Sequence, residues 1–144
     1  MTINIRIVTS EGIVWDGSAQ SVILPCSDGE MGILRGHLPL TTSLKIGILR
    51  IRIDWRWLIF FVQEGFAQVE GDDVVILVNA AEWSDRIDIQ LAQTELAAAE
   101  VSLQHSQTKG EKVLATKAFK IAQTRLKAAQ EYLSLVGRSW FFNA

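Results

Sequence analysis

Ser27-Asp28-Gly29-Glu30-Met31-Gly32-Ile33-Leu34-Arg35-Gly36-His37-Leu38-Pro39-Leu40 lies between apolar, strand-like runs and decides how the first half of this chain is read. It holds three glycines, a proline, an acidic pair and one of only two histidines in the chain. Glycines at this density mark a backbone that needs unusual dihedrals or a very close approach to something. The stretch reads as a structured surface loop with polar groups on display, and loops of this kind often carry function.

Around this stretch the apolar period is two. Strands are predicted at Ile3–Val8, Ser21–Leu24, Ile48–Ile53, Leu58–Val62, Phe66–Val69 and Val74–Val78, all rich in Ile, Val, Trp and Phe. Arg50-Ile51-Arg52-Ile53 alternates cleanly, which predicts one wet and one buried face. Glu70-Gly71-Asp72-Asp73 has the chemistry of a hairpin turn between two of these strands. Many short strands at this spacing predict a small antiparallel sandwich or flattened barrel.

After Asp88 the period becomes helical. Asp88 is the expected N-cap of a helix starting at Ile89, with Ala92, Leu96, Ala99 and Leu103 forming one apolar stripe. Thr108-Lys109-Gly110 is expected to break that helix. A second stripe then runs through Leu114, Ala118, Ile121 with Ala122, Leu126, Ala129 and Leu133, up to a stop at Gly137. Two amphipathic helices joined by a short turn predict an antiparallel hairpin. Its alanine-rich stripe buries less area than leucine would, so the pair is weakly held at about 25 cal/mol per Å² of apolar surface.

Together these pieces resemble one family. The spacing Gly29, Gly32, Leu34, His37, Pro39 is similar to a Gly-x-x-Gly-x-Leu-x-x-His-x-Pro segment of the epsilon subunit of F-type ATP synthases. The resemblance continues through the turn Ile13-Val14-Trp15-Asp16, the strand Ser21–Pro25, Ile46–Ile51, Gly65–Val69 and Val74–Glu82, closest to chloroplast and cyanobacterial members. Arg35 stands where the family usually has proline, and Glu64 where it has a second glycine. The resemblance implies an α+β fold, an N-terminal antiparallel β-sandwich of two five-stranded sheets followed by a C-terminal antiparallel helical hairpin. The implied divisions are a β-sandwich over 1–82, a regulatory hairpin over 83–136 and an aromatic tail over 137–144, containing Trp140-Phe141-Phe142.

Charge and composition narrow the function classes. The chain has 144 residues and a net charge of −2. Residues 1–108 carry 7 basic and 14 acidic side chains, a net of −7, whereas 109–144 carry 7 basic and 2 acidic, a net of +5. Such asymmetry suggests two surfaces with different partners. No apolar run reaches the roughly 18 to 20 residues of a membrane span. The N-terminus looks like a strand and not like a signal or transit peptide. The lone Cys26 suits a reducing interior and reads as a small buried hydrophobe.

An enzyme reading would assemble His37 with Glu30, Asp28 and Cys26, but nothing in the sequence fixes their mutual geometry. His105 is expected on the polar side of its helix, no metal site is expected, and no phosphate-binding glycine loop is followed by Lys-Ser/Thr. The expected chain has no catalytic site and no cofactor. A second class is a β-sandwich nucleic-acid or carbohydrate binding module, with Trp55 and Trp57 beside Arg52 and Arg56 for stacking. The acidic β-half opposes phosphate backbones, so no nucleic-acid partner is expected.

The third class follows from the resemblance, which implies a non-catalytic central-stalk subunit of the proton-translocating ATP synthase. Its implied partners are the gamma subunit, the c-ring and, depending on conformation, the catalytic beta subunits. The c-ring contact would use Glu30, Met31, Arg35, Gly36 and His37. A basic helix, Lys112, Lys117, Lys120, Arg125 and Lys127, would face an acidic segment of the catalytic subunits and restrain ATP hydrolysis. Some members bind ATP through Ile/Leu-Asp-x-x-Arg-Ala. Here that motif reads Ile87-Asp88-Ile89-Gln90-Leu91-Ala92, and with Leu91 replacing the arginine no nucleotide site is expected. The implied location is the stromal side of the thylakoid membrane, or the cytoplasmic side in a cyanobacterium, with the membrane met only through the complex.

Overall fold

Alternating apolar residues along the first 83 positions produce ten strands: β1 (Ile3–Thr9), β2 (Gly12–Ala19), β3 (Ser21–Cys26), β4 (Gly29–Leu34), β5 (Leu40–Leu44), β6 (Gly47–Ile53), β7 (Arg56–Val62), β8 (Gly65–Glu70), β9 (Asp73–Val78) and β10 (Ala81–Trp83). The computed structural model describes the backbone of residues 1–143 and the side chains of residues 1–136. The chain forms two units, Met1–Trp83 and Ser84–Ala144.

In the β unit the strands form two five-stranded layers, β4-β3-β6-β7-β10 and β5-β8-β9-β1-β2, joined by the single pair Cys26–Leu44. The junction follows from chemistry. Pro25 has no N–H to give a ladder, so β3 leaves β6 after Ile23 and is picked up by β5 at Cys26. Strand pairs are antiparallel except β1 with β9, which run parallel. Between the layers sit Ile3, Ile5, Ile7, Val22, Leu24, Ile33, Leu49, Ile51, Phe60, Val62, Val74 and Ile76, all buried. The rings of Phe60 and Trp83 lie 4.5 Å apart, centroid to centroid. Ile59 and Phe61, on the opposite face of β7, are also buried.

Several expectations hold. All six predicted strands exist, the Arg50–Ile53 alternation buries Ile51 and leaves Arg52 exposed, and Gly71-Asp72 turns β8 into β9. Others need correction. Ile13–Asp16 is the body of strand β2 and no turn. The Ser27–Leu40 stretch is only partly loop, because Gly29–Leu34 pairs with β3 along its whole length, from Cys26–Gly29 to Ser21–Leu34. Glycines at 29 and 32 hid that strand. Cross-strand pairing to a fully formed neighbour outweighs their poor intrinsic propensity.

The second unit starts with a 3-10 turn, Ser84–Arg86, followed by α1 (Ile89–His105) and α2 (Lys109–Asn143). The two helices pack against each other. Asp88 is the N-cap of α1, its carboxylate accepting from the Leu91 N–H at 3.2 Å. On α1 the stripe Ala92, Leu96, Ala99 and Leu103 is buried or half-buried, in agreement with its periodicity. On α2 the expected stripe is off by one residue near its start. Leu114 and Ala118 are exposed, and Ala115 and Phe119 take the half-buried positions that lead to Ala122, Leu126 and Ala129. Leu133 is exposed as well.

The helix break also lies earlier than expected, at Ser106–Thr108, with Gly110 inside the first turn of α2. Gly137 does not end α2, which continues to Asn143. A glycine inside a helix costs only about 1 kcal/mol, and the flanking residues are helix formers of ordinary strength. The side chains of Trp140, Phe141 and Phe142 fall outside the described residues.

Candidate functional site: two sheet surfaces and a basic helix

The residues expected to form one contact loop are spread along a strand. Glu30 and Met31 lie in the half of β4 next to the Ser27-Asp28 turn. Arg35, Gly36 and His37 follow the far end of the same strand. Four residue steps separate Glu30 from Leu34, about 13 Å at 3.3 Å per step. Glu30 Oε2 accepts from Arg50 Nη1 at 2.6 Å across the sheet. At the other end Arg35 Nε lies 3.8 Å from an Asp72 carboxylate oxygen in the β8–β9 turn.

Gly36 turns the chain with φ of +83°, a conformation that a side chain would strain. The His37 N–H donates to the Leu34 carbonyl at 3.2 Å, and its ring Nδ1 donates to the Leu38 carbonyl at 2.7 Å. Glu30 and Met31 lie on an edge strand, and Arg35, Gly36 and His37 lie just beyond its end. Among the described residues β4 pairs only with β3.

This geometry also decides the catalytic alternative. His37 is at one end of the sandwich, whereas Cys26, Asp28 and Glu30 are near the other, and Cys26 is buried. The four are not brought together. Among the described residues no group of three metal-binding side chains converges. The stacking pair is not formed either. Trp55 is 74% exposed in the β6–β7 turn, but Trp57 is half-buried. Arg52 Nε donates to the Asp54 carbonyl at 3.0 Å.

A surface that sequence reading missed lies on the outer face of the second layer. The register puts Ile13 beside Val8, Val8 beside Leu77, and Leu77 beside Phe66. Ile13, Leu77 and Phe66 are 58%, 40% and 50% exposed, and Val8 is half-buried. At about 4.8 Å per strand this apolar row is roughly 14 Å long. Next to it run polar pairs, the Arg6–Asp16 ion pair at 3.3 Å and Asn4 donating to Asp73 at 3.0 Å. An apolar row with a polar rim is the make-up of an interaction surface. Period-two patterning could have flagged Phe66 and Leu77 as apolar residues on the wet phase of their strands. Their alignment across four strands needs the register.

On the helical unit, Lys112, Lys117, Lys120 and Lys127 are exposed. At 100° per residue they span an arc of about 140° on α2, and Arg125 lies about 80° beyond it. Arg125 instead points to α1, where its Nη1 donates to Glu95 Oε2 at 2.6 Å. The expected five-residue basic face is thus four lysines. Leu91, in the degraded nucleotide motif, is exposed, and Asp88 is engaged as the N-cap. His105 is exposed as expected, its Nδ1 donating to the Val101 carbonyl at 2.9 Å.

The start of α2 carries a capping box, which Thr108-Lys109-Gly110-Glu111 spells in sequence. Thr108 Oγ1 accepts from the Glu111 N–H at 3.1 Å, and Glu111 Oε2 accepts from the Gln107 and Thr108 N–H groups at 2.9 and 3.4 Å. These bonds, the one from Gln107 first, hold the Glu111 carboxyl below its usual range. A lowered folded value stabilises the charged form. Its contribution is complete above the ordinary glutamate pKa of about 4.3 and is lost as pH falls through the lowered value. Amide exchange at Gln107, Thr108, Glu111 and Lys112, whose N–H groups are bonded in this box, is therefore expected to stay protected down to about pH 5 and to accelerate below about pH 4 once corrected for intrinsic rates. Glu111→Ala should show the faster exchange at neutral pH, and equal protection in both chains would remove this role.

Residues 2–84 match the family model described as the ATP synthase delta/epsilon chain, beta-sandwich domain. The chain belongs to this ATP synthase delta/epsilon family. It is 42% identical over 132 residues to the ATP synthase epsilon chain of Thermosynechococcus vestitus, covering 90% of this chain and 96% of that one. It is 43% identical over 129 residues to the chloroplastic ATP synthase epsilon chain of Pyropia yezoensis, again with 90% and 96% covered. A chain in the cryo-EM structure of the Euglena gracilis mitochondrial ATP synthase OSCP/F1/c-ring has the same fold, with a TM-score of 0.80 at 22% identity over 90% of this chain and 81% of that one. Among the described residues no helix is long and apolar enough to cross a membrane.

Proposed function

We propose that this chain is the epsilon subunit of a rotary F-type ATP synthase, a non-catalytic part of its central stalk. The gamma subunit docks on the outer apolar row of β2-β1-β9-β8, the c-ring meets the free edge of β4, and the helical hairpin restrains ATP hydrolysis. The complex carries the chain on the stromal side of a thylakoid membrane, or the cytoplasmic side in a cyanobacterium. The observation that carries the reading is the row Ile13–Val8–Leu77–Phe66, an exposed apolar surface on the β unit of a chain whose relatives are ATP synthase epsilon chains. The β4 edge supports the second contact, because all five expected c-ring residues lie along one unpaired strand side or just beyond its end.

The test is co-purification of the tagged chain with its complex. The intact chain should bring gamma and the c-ring. Phe66→Asp with Leu77→Asp places two charges in the docking row and should weaken gamma binding about 30-fold or more, the scale of an interface hot spot. Circular dichroism should be unchanged, since both side chains are exposed. Cysteines at Glu30 and His37 should both crosslink to c-ring loops if the partner lies along β4. Retention of gamma by the double variant would remove the assigned docking face.

The hairpin is tested separately. Alanine at Lys112, Lys117, Lys120 and Lys127 keeps helix propensity high. Each exposed pair contributes about 0 to 1 kcal/mol, so four lost together should relieve inhibition of ATP hydrolysis several-fold. Unchanged inhibition with unchanged helicity would remove the electrostatic part of the reading.

A further inference from the structure

The β6–β7 hairpin holds one large aromatic ring in water. Asp54 and Trp55 are its two-residue loop, closed by the pair Ile53–Arg56. Asp54 has a φ of +56°, a left-handed conformation that glycine takes freely and aspartate takes at a cost. The side chain of Gln20, from the turn between β2 and β3, clasps it there. Gln20 Nε2 donates to Asp54 Oδ1 at 2.9 Å, and Gln20 Oε1 accepts from the Asp54 N–H. The Gln20 N–H donates to the Arg52 carbonyl at 2.9 Å, and Arg52 Nε donates to the Asp54 carbonyl at 3.0 Å. These bonds fix a turn whose outermost side chain, Trp55, is 74% exposed.

The register extends this tip into a surface. Leu34 of β4, Ser21 of β3, Arg52 of β6 and Trp57 of β7 are successive cross-strand partners. They form a row roughly 14 Å long on the outer face of the first layer, at the end that carries Trp55. Leu34 is 62% exposed, Arg52 and Arg56 are exposed, and Ser21 and Trp57 are half-buried. Residues 1–83 carry 6 basic and 10 acidic side chains, a net of −4. Against that background the row and tip join two arginines to a single carboxylate, Asp54.

We propose that the β6–β7 tip is a docking knob for a protein partner: Trp55 seats in an apolar slot, and Arg52 and Arg56 meet carboxylates on its rim. The partner is another subunit of the same assembly, so the proposal rests on the reading that this chain is part of the rotary complex. It adds a contact on the first layer to the apolar row on the second. Tryptophan and arginine are the residue types that carry most binding energy at protein interfaces. A ring already fixed by the Gln20 clasp loses little freedom on docking, which leaves more of its contact energy as affinity. Charge selects an acidic rim, because the tip is the basic spot of an acidic unit. An anionic lipid surface fits less well, since each basic residue gains only about 1 kcal/mol there and a fluid surface makes no use of a fixed turn.

The test exposes the isolated full chain and the assembled complex to hydroxyl radicals and reads oxidation of each tryptophan by mass spectrometry. Trp55 should be oxidised about 5-fold more slowly or less in the complex, as expected of an anchor ring shut off from water. Trp55→Ala should weaken rebinding to complex stripped of this chain about 30-fold at an unchanged melting temperature, and Trp55→Phe should recover part of the loss. Arg56→Gln should slow association and flatten its salt dependence. Equal oxidation of Trp55 in the free and assembled chain overturns the proposal, and so does rebinding that Trp55→Ala leaves unchanged. Binding of the isolated chain to phosphatidylglycerol vesicles, lost in Trp55→Ala, would assign the tip to a lipid surface and overturn it as well. Failure of the underlying reading shows separately, as an intact chain that brings down no gamma subunit. Failure of the knob alone leaves gamma bound and Trp55 open to solvent.

Discussion

Replacing Gly65 with alanine is expected to destabilise the β unit by about 3 kcal/mol or more, at or above the upper end of ordinary overpacking. Gly65 opens β8, where it pairs with Leu44 of β5 and Val78 of β9. A Cβ there would overlap the Leu77 carbonyl oxygen and lie 2.7 Å from the Val78 Cα. Both are backbone atoms of a paired strand, so relief means shifting β9 and with it the parallel pairing to β1. Gly32→Ala is the matched control. It sits on β4 with nothing within 4 Å of the place its methyl would take, and should be neutral or stabilising by up to about 1 kcal/mol. Chemical denaturation of the full chain, following tryptophan fluorescence, measures both. Equal midpoints for the two variants would mean that the strands around Gly65 yield easily.

Truncation of Phe60 to alanine should cost about 3 to 5 kcal/mol, the range for emptying a buried aromatic site. Phe60 is fully buried between the layers and touches Trp83. For a unit of this size each kcal/mol lowers the melting temperature by about 4 to 8 °C, so a fall of more than about 12 °C is expected. Trp55→Ala removes a larger ring, but an exposed one, and should change stability by no more than about 0.5 kcal/mol. A melting point for Phe60→Ala within about 4 °C of the unaltered chain would show that neighbouring side chains collapse into the space. Because assembly with partner subunits also raises apparent stability, both comparisons belong to the isolated chain.

Neighbouring residues alone were enough to reveal the change of period after Asp88, the six strongest strands, the Asp88 cap and the family. The signals are short-range: alternation in Arg50–Ile53, a four-three-four stripe in Ala92–Leu103, and a capping side chain three residues from its N–H. Such signals failed where a distant neighbour decides the outcome. The strand Gly29–Leu34 exists because β3 supplies its ladder, so its glycines misread as loop. The α2 stripe is off by one residue near its start, since apolar Leu114 and Ala115 are adjacent and only packing selects between them.

The candidate surfaces divide in the same way. Glu30 and His37 are close in sequence, but an extended strand holds them at opposite ends of the sandwich. Arg125 reads as one more cation of a basic helix, yet its carboxylate lies 30 residues away. Ile13, Val8, Leu77 and Phe66 are scattered over the chain, and pairing of β2, β1, β9 and β8 makes them one row. Periodicity reports which face of an element a residue occupies. Which residues meet across elements is set by register and by charge pairing through space, and both exist only once the elements have packed.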